Sequence, residues 1–188
     1  MSNLEKKFSK IYDNLVEKVY RFIFLKVDSK EAAEDLTSQV FLKVWNTLKK
    51  ENNQFNTSKR KKKRVKKSFN ASKPVFRIKN ISAYIYQIAR SEVADYYKEK
   101  QKFKIVSAEN VQIVDAEADI ARLEEKKSDV KELLECIHQL KEDYQNIIIW
   151  RYLDGLSYKK IANIMKKPEG TIRVMAHRAL KELKAMLE

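Results

Sequence analysis

YQNIIIWRYLDGLSYKKIANIMKKPEGTIRVMAHRALKELKAM, residues Tyr144–Met186, decides the fold. Residues 144–153 are apolar on nearly every face, which predicts a buried helix. Asp154-Gly155 ends it, because glycine accepts backbone angles that end helices. Ser157 then stands where an N-cap belongs, ahead of a short helix over Tyr158–Met165. Lys166-Lys167-Pro168-Glu169-Gly170 breaks the chain again. From Thr171 a longer helix places Ile172, Met175, Ala176, Ala179, Leu180 and Leu183 on its inner face. Arg173, His177, Arg178 and Lys181 fall on the other side. A short helix, a tight turn and a second helix with a basic outer face form a helix-turn-helix, whose second helix enters the DNA major groove.

Working outward, the composition agrees with a polyanionic partner. The 188 residues carry 40 Lys+Arg against 26 Asp+Glu, a net charge of +14. Such a balance favours phosphate contact and counterion release. The charge is uneven: residues 59–67, KRKKKRVKK, hold eight cations and account for more than half of the net value. Only 2 Gly and 2 Pro argue against a sheet protein with many turns and for an all-α chain. The N-terminal MSNLEKKFSK has no apolar run of signal-peptide length, and no long uncharged apolar stretch follows. The expectation is a cytoplasmic protein without membrane insertion. The single Cys136 has no internal disulfide partner, and its setting among Val130, Leu133, Leu134 and Ile137 marks a small core residue.

The N-terminal half repeats a helical period. Leu4, Phe8, Ile11, Leu15, Val19, Phe22 and Ile23 form one apolar stripe. Asp28 with Glu31 has the spacing of a capping-box variant for a second helix, which runs to about Leu48. Its buried face carries Ala32, Leu36, Val40, Phe41, Val44, Trp45 and Leu48. A third helix starts near Ile81, with Tyr84, Ile85, Ile88, Ala89 and Val93 inward and Tyr86, Gln87, Arg90, Glu92 and Lys98 outward. Three such helices bury their stripes against one another. Ser107–Glu125 is acidic and weakly periodic, and reads either as a tether or as a partly helical extension of the second domain.

Three blocks in order, AEDLTSQVFLKVW (Ala33–Trp45), ISAYIYQIARSEVADYYKEK (Ile81–Lys100) and LSYKKIANIMKKPEGTIRVMAHRALKEL (Leu156–Leu183), resemble bacterial RNA polymerase sigma factors. The closest group is the extracytoplasmic-function (ECF) type of the sigma-70 family. The resemblance covers the helical parts of both halves; no separate region 1.1 or region 3 is recognisable. It implies two small helical domains joined by a flexible acidic linker. Residues 1–102 would be region 2, with a basic loop insert at about 50–76. Residues 103–127 would be the linker, and 128–188 region 4. Region 2 of the family holds the polymerase core enzyme and opens the −10 element, and region 4 reads the −35 element. The implied partners are the core enzyme (β′ coiled coil and β flap), promoter DNA and an anti-sigma factor. Catalysis would belong to the core. His138 and His177 have no Cys or His partner at ligand spacing and there is no Gly-rich phosphate loop, so no catalytic set, metal or cofactor is expected.

The resemblance assigns roles residue by residue. Glu34, Asp35, Ser38, Gln39 and Lys43 align with the face that docks on the β′ coiled coil. Ser38-Gln39 stands where relatives often have Gln-Glu, so one carboxylate is missing. Tyr86, Gln87, Arg90, Tyr96, Tyr97 and Lys98 align with the surface over the −10 element. Aromatics beside cations suit single-stranded DNA, since bases stack on rings while cations follow the backbone. Tyr96 and Tyr97 are equally consistent with packing at a helix end. Ser157, Tyr158 and Lys159 open the supporting helix, and Thr171, Arg173, Val174, His177 and Arg178 belong to the recognition helix over the −35 element. Arg173 is the candidate for bidentate guanine contact, with Arg178 reaching bases or phosphates. Lys166 stands where glycine is common in the turn. The basic insert is the largest departure from the family pattern. As a like-charge block it reads as a disordered loop, either solvated or clamping DNA.

Two other classes compete. An ordinary helix-turn-helix regulator would bind DNA without entering polymerase, and retention on immobilised core enzyme separates the two. A recombinase would need a catalytic αβ domain, which the low glycine count and the helical N-terminal half oppose.

Overall fold

The computed structural model describes residues 2–64, 78, 80–106 and 127–188. The remainder of the basic insert and the acidic stretch 107–126 lie outside the described residues. The described elements are all helical: α1 (Asn3–Phe24), α2 (Lys30–Arg64), α3 (Ile81–Val106), α4 (Lys127–Gln139), α5 (Glu142–Ile148), α6 (Tyr158–Met165) and α7 (Glu169–Leu187). A π-helical turn, Ile149–Leu153, prolongs α5.

Local chemistry sets the helix starts. Ser2 and Glu5 form a reciprocal capping box on α1, with Glu5 N donating to Ser2 Oγ (3.2 Å) and Ser2 N to Glu5 Oε2 (2.7 Å). Asn80 Oδ1 accepts from Ala83 N (3.0 Å) at the start of α3. At α2 the cap is Ser29, whose Oγ accepts from Ala32 N (3.1 Å), and not Asp28 as the spacing predicts. Asp28 instead takes the Tyr96 hydroxyl and the Lys100 ammonium. The second correction concerns length: α2 runs on to Arg64, sixteen residues beyond Leu48. Between Lys49 and Arg64 there is no glycine or proline to stop it, and Lys and Arg are good helix formers. The first part of the basic run, through Arg64, is therefore helix rather than loop.

α1, α2 and α3 pack pairwise into a bundle. Val19, Phe22 and Ile23 of α1 meet Leu36, Val40, Phe41, Val44 and Leu48 of α2, with Ile85, Ala89 and Val93 of α3 closing the core. Each of the larger side chains contributes roughly 1.5–3 kcal/mol through burial. In the second unit α7 is the centre, touching α4, α5 and α6. Ile172, Ala176, Ala179 and Leu183 form its buried face, whereas Leu180 is exposed, contrary to the predicted inner stripe. Cys136 is buried beside Ile137, Leu140, Ile148 and Leu183. Ile147, Ile149 and Trp150 are buried, but Tyr152 and Leu153 are exposed, so the all-round burial predicted for 144–153 ends within the π turn. Gly155 follows at φ 67°, the left-handed region that the Asp154-Gly155 break predicts.

The two units pack directly on each other. One continuous apolar cluster crosses the seam, joining Phe22 and Tyr86 to Trp150, Leu156, Ile161 and Ile164. Trp150 stacks on Phe22 (centroids 5.2 Å, 26°) and meets Tyr86 edge-on (5.5 Å, 66°). No described helix is long and apolar enough to cross a membrane.

Candidate nucleic-acid interface

α6 and α7 form the helix-turn-helix. Ser157 caps α6, its Oγ accepting from Lys160 N at 3.3 Å. Lys166 closes α6 in the left-handed conformation (φ 55°), the backbone state that glycine adopts more cheaply. Pro168 then enters α7 at φ −58°, an angle its ring already imposes. Along α7, Thr171, Arg173, Val174, His177 and Arg178 are all exposed, opposite the Ile172–Ala176–Ala179–Leu183 stripe. Ser157 and Lys159 are exposed beside them, and Tyr158 is half-buried. Arg173 donates to Glu169 Oε1 (2.7 Å) one turn earlier. The eight residues assigned by sequence to the −35 contact therefore sit at two adjacent helices, with the basic ones exposed.

A family description, Sigma-70, region 4, matches residues 131–183, which span this unit. The chain is 26% identical over 181 residues to the ECF RNA polymerase sigma factor BldN of Streptomyces coelicolor, covering 96% of this chain and 60% of BldN. It is 22% identical over 190 residues to the ECF RNA polymerase sigma factor SigX of Bacillus subtilis, covering 98% and 86%. Residues 131–183 thus match region 4 of the sigma-70 family, and the chain as a whole is similar to ECF sigma factors. The fold agrees: a co-crystal structure of the Bartonella quintana sigma factor RpoE with the anti-sigma factor NepR is similar over 97% of both chains, at a TM-score of 0.60 and 20% identity. The chain spans three fifths of the length of BldN but most of SigX.

On α2, Glu34, Asp35, Ser38, Gln39 and Lys43 are exposed opposite buried Leu36, Val40 and Val44. Lys43 also reaches back to Glu92 of α3, which is buried rather than outward-facing as its period predicts. Sequence reasoning missed a neighbour. Leu42 is the most exposed large apolar residue described (59%) and shares the turn-by-turn row of Asp35 and Ser38. It borders a groove of about 640 Å³ between α1 and α2, lined by Phe8, Tyr12, Phe41 and Trp45. The signal was present as an apolar residue off the buried stripe.

The six residues assigned to the −10 surface fare differently. Tyr86 is fully buried, which corrects its outward placement. Its hydroxyl donates to Asp154 Oδ2 (3.1 Å) across the seam. Gln87 Nε2 donates to the carbonyls of Asn163 (3.3 Å) and Ile164 (3.0 Å) at the end of α6. Arg90 Nη2 lies 3.3 Å from Asp143 Oδ1 and 3.5 Å from Glu142 Oε1. Tyr96 and Tyr97 tie the second half of α3 to the α1–α2 turn through Asp28 and the Lys26 carbonyl. Lys98 remains exposed beside Asp95. The physical reason is that three of these side chains find partners on the second unit, which no periodicity within α3 contains.

Asp154 is the electrostatic centre of the seam. Its Oδ1 accepts from Arg21 Nε (3.0 Å) and Nη2 (2.7 Å), and Lys18 Nζ approaches its carbonyl at 3.5 Å. Burial pushes its carboxyl up, with the bonds from Arg21 and Tyr86 pulling back. Burial, reinforced by the Asp154 charge, pushes the Tyr86 phenol up. Lys26, buried at the seam, donates to Asn146 Oδ1 (2.7 Å). Burial lowers its pKa to about 8 from 10.5, Arg90 lowers it further, and Glu142 and Asp143 oppose the shift. The folded lysine thus releases its proton before the unfolded one does. Between about pH 8 and 10.5 the unfolded state binds more protons, so stability rises with pH there. The full shift is worth about 3 kcal/mol. Urea titrations across this window should show the rise in the wild type and a flatter profile in Lys26→Met; parallel profiles would refute the assignment.

Proposed function

We propose that this protein is a promoter-specificity subunit that binds bacterial RNA polymerase core, directs it to particular promoters and supports their opening. Catalysis rests with the core enzyme. The single observation that carries the reading is the α7 face. Its Arg173, Val174, His177 and Arg178 present an exposed cationic edge beside a capped supporting helix. The α2 face of Glu34, Asp35, Ser38, Gln39 and Lys43 is the proposed core contact, and a β-flap contact for region 4 follows from the family. Residues 1–102 and 128–188 are the proposed domains, with 103–127 as the link between them.

In this reading the packed arrangement is a closed state. Tyr86, Gln87 and Arg90 are engaged by α5, the π turn and α6, and must be released before they meet −10 DNA. Asp154, Asp143 and Glu142 supply the anionic partners that phosphates would otherwise provide. An anti-sigma factor is a proposed partner, supported by the Bartonella relative of the same fold having been captured with one. A cytoplasmic location is the setting in which such a subunit meets polymerase.

Two variants test the reading. Arg173→Ala should lose about 1–3 kcal/mol of discrimination at one −35 base. Its affinity for core should be unchanged. Asp35→Lys should keep its helicity yet bind core much more weakly, because an exposed charge is reversed at the proposed contact. Full core affinity in Asp35→Lys, together with unaltered promoter choice in Arg173→Ala, would leave an ordinary DNA-binding regulator as the better description.

A further inference from the structure

Three elements converge on one aromatic ring beneath the recognition helix. The Tyr158 ring, at the first position of α6, has the Arg173 guanidinium 5.0 Å from its centroid and the Arg151 guanidinium at 4.5 Å. Arg151 is itself tied down, its Nη1 donating to the Leu156 carbonyl at 3.1 Å. Tyr158 is half-buried, so the ring is anchored. Arg173 remains 61% exposed and is held on a second side by Glu169. The arginine that faces outward for base contact is thus the mobile end of a fixed stack, Arg151 and Tyr158 below and Glu169 beside.

We infer that Tyr158 is a positioning residue for base recognition: its ring holds the Arg173 guanidinium in the pose that meets a guanine edge. This rests on the proposed −35 role of Arg173 and adds to it a residue that touches no base. A free arginine loses several side-chain rotations when it docks, and a planar guanidinium already laid on a ring loses fewer. The ring face carries negative charge and attracts the cation, whereas the hydroxyl has no part in that attraction. Two cations share the ring, so fixing Arg151 through Leu156 keeps it from displacing Arg173. A cation over an aromatic face at an exposed site is worth about 0.5–1 kcal/mol, equivalent to about a two- to fivefold change in discrimination.

The experiment uses the full chain reconstituted with bacterial core polymerase and a promoter library randomised over the −35 element. Arg173→Ala should flatten discrimination at one base. Tyr158→Leu should lower discrimination at that same base about two- to fivefold, and add nothing in the Arg173→Ala background. Tyr158→Phe should restore it. Tyr158→Phe carrying one, two and three ring fluorines should lose discrimination stepwise, a trend that packing alone does not produce. If Arg173→Ala flattens the base preference while Tyr158→Leu leaves it intact, the positioning role is overturned and the reading of Arg173 stands. A uniform loss at every base in Tyr158→Leu would make the ring a structural or phosphate contact and also overturn it. If Arg173→Ala changes no base preference, the reading of the recognition helix fails, and the positioning role with it.

Discussion

Trp150→Ala should separate the two halves of the protein. Trp150 is fully buried, stacked on Phe22 of α1 and edge-on to Tyr86 of α3, so it contributes to the apolar cluster on both sides of the seam. Truncating a buried tryptophan costs about 3–5 kcal/mol, partly in lost transfer energy and partly in the cavity left behind. The expected result is a longer distance between dyes placed on α2 and α7, and two thermal transitions where the wild type shows one. Phe22→Ala, made on the opposite face of the same stack, separates an effect on the seam from simple damage to the C-terminal unit. Both variants should open the chain. An unchanged dye distance in both, with one cooperative transition, would show that the halves are held by something other than this stack.

The second large effect is expected at Asp154. Asp154→Ala removes the acceptor of Arg21 and Tyr86 together, leaving a buried phenol without its partner. A fully buried ion pair broken on one side costs about 3–5 kcal/mol. The Arg21 side chain is 43% exposed and can turn to water, so about 2 kcal/mol is the better figure here. If the closed state conceals the −10 surface, that shift raises the affinity of the free protein for a single-stranded −10 oligonucleotide by up to about thirtyfold. The gain should shrink in Asp154→Ala/Tyr86→Ala, which loses a ring proposed to stack on bases. Fluorescence anisotropy with a labelled oligonucleotide measures both. Equal affinity for wild type and Asp154→Ala would mean that the seam does not compete with DNA.

The helices themselves were legible. Apolar residues at three- and four-residue intervals placed α1, α3 and the body of α2, because burying one stripe of a helix requires that spacing. Ser157, Asp154-Gly155 and Pro168 marked the limits of α6 and α7 for reasons local to the backbone, and the structure places breaks at each. The exposed row on α7 and that on α2 were likewise legible as the complements of two buried stripes. Where reading failed, two local choices were nearly equal in energy. Asp28 and Ser29 are both good caps, and only the placement of Tyr96 and Lys100 gives Asp28 another use. The extent of α2 past Leu48 was missed because a polar, charged stretch lacks periodicity, although nothing in it breaks a helix.

Sequence by itself determined an all-helical chain, a helix-turn-helix with Arg173 and Arg178 outward, and an exposed polar face on α2. Each follows from interactions between residues within four positions of one another. Tertiary structure alone decided that Tyr86 is buried, that Gln87 and Arg90 meet α5 and α6, that Asp154 pairs with Arg21, and that Tyr158 lies between Arg151 and Arg173. The residues facing one another across the seam stand 53 to 136 positions apart. Burial and charge pairing at such separations depend on how two finished surfaces fit, and neither surface exists until its own helices have packed.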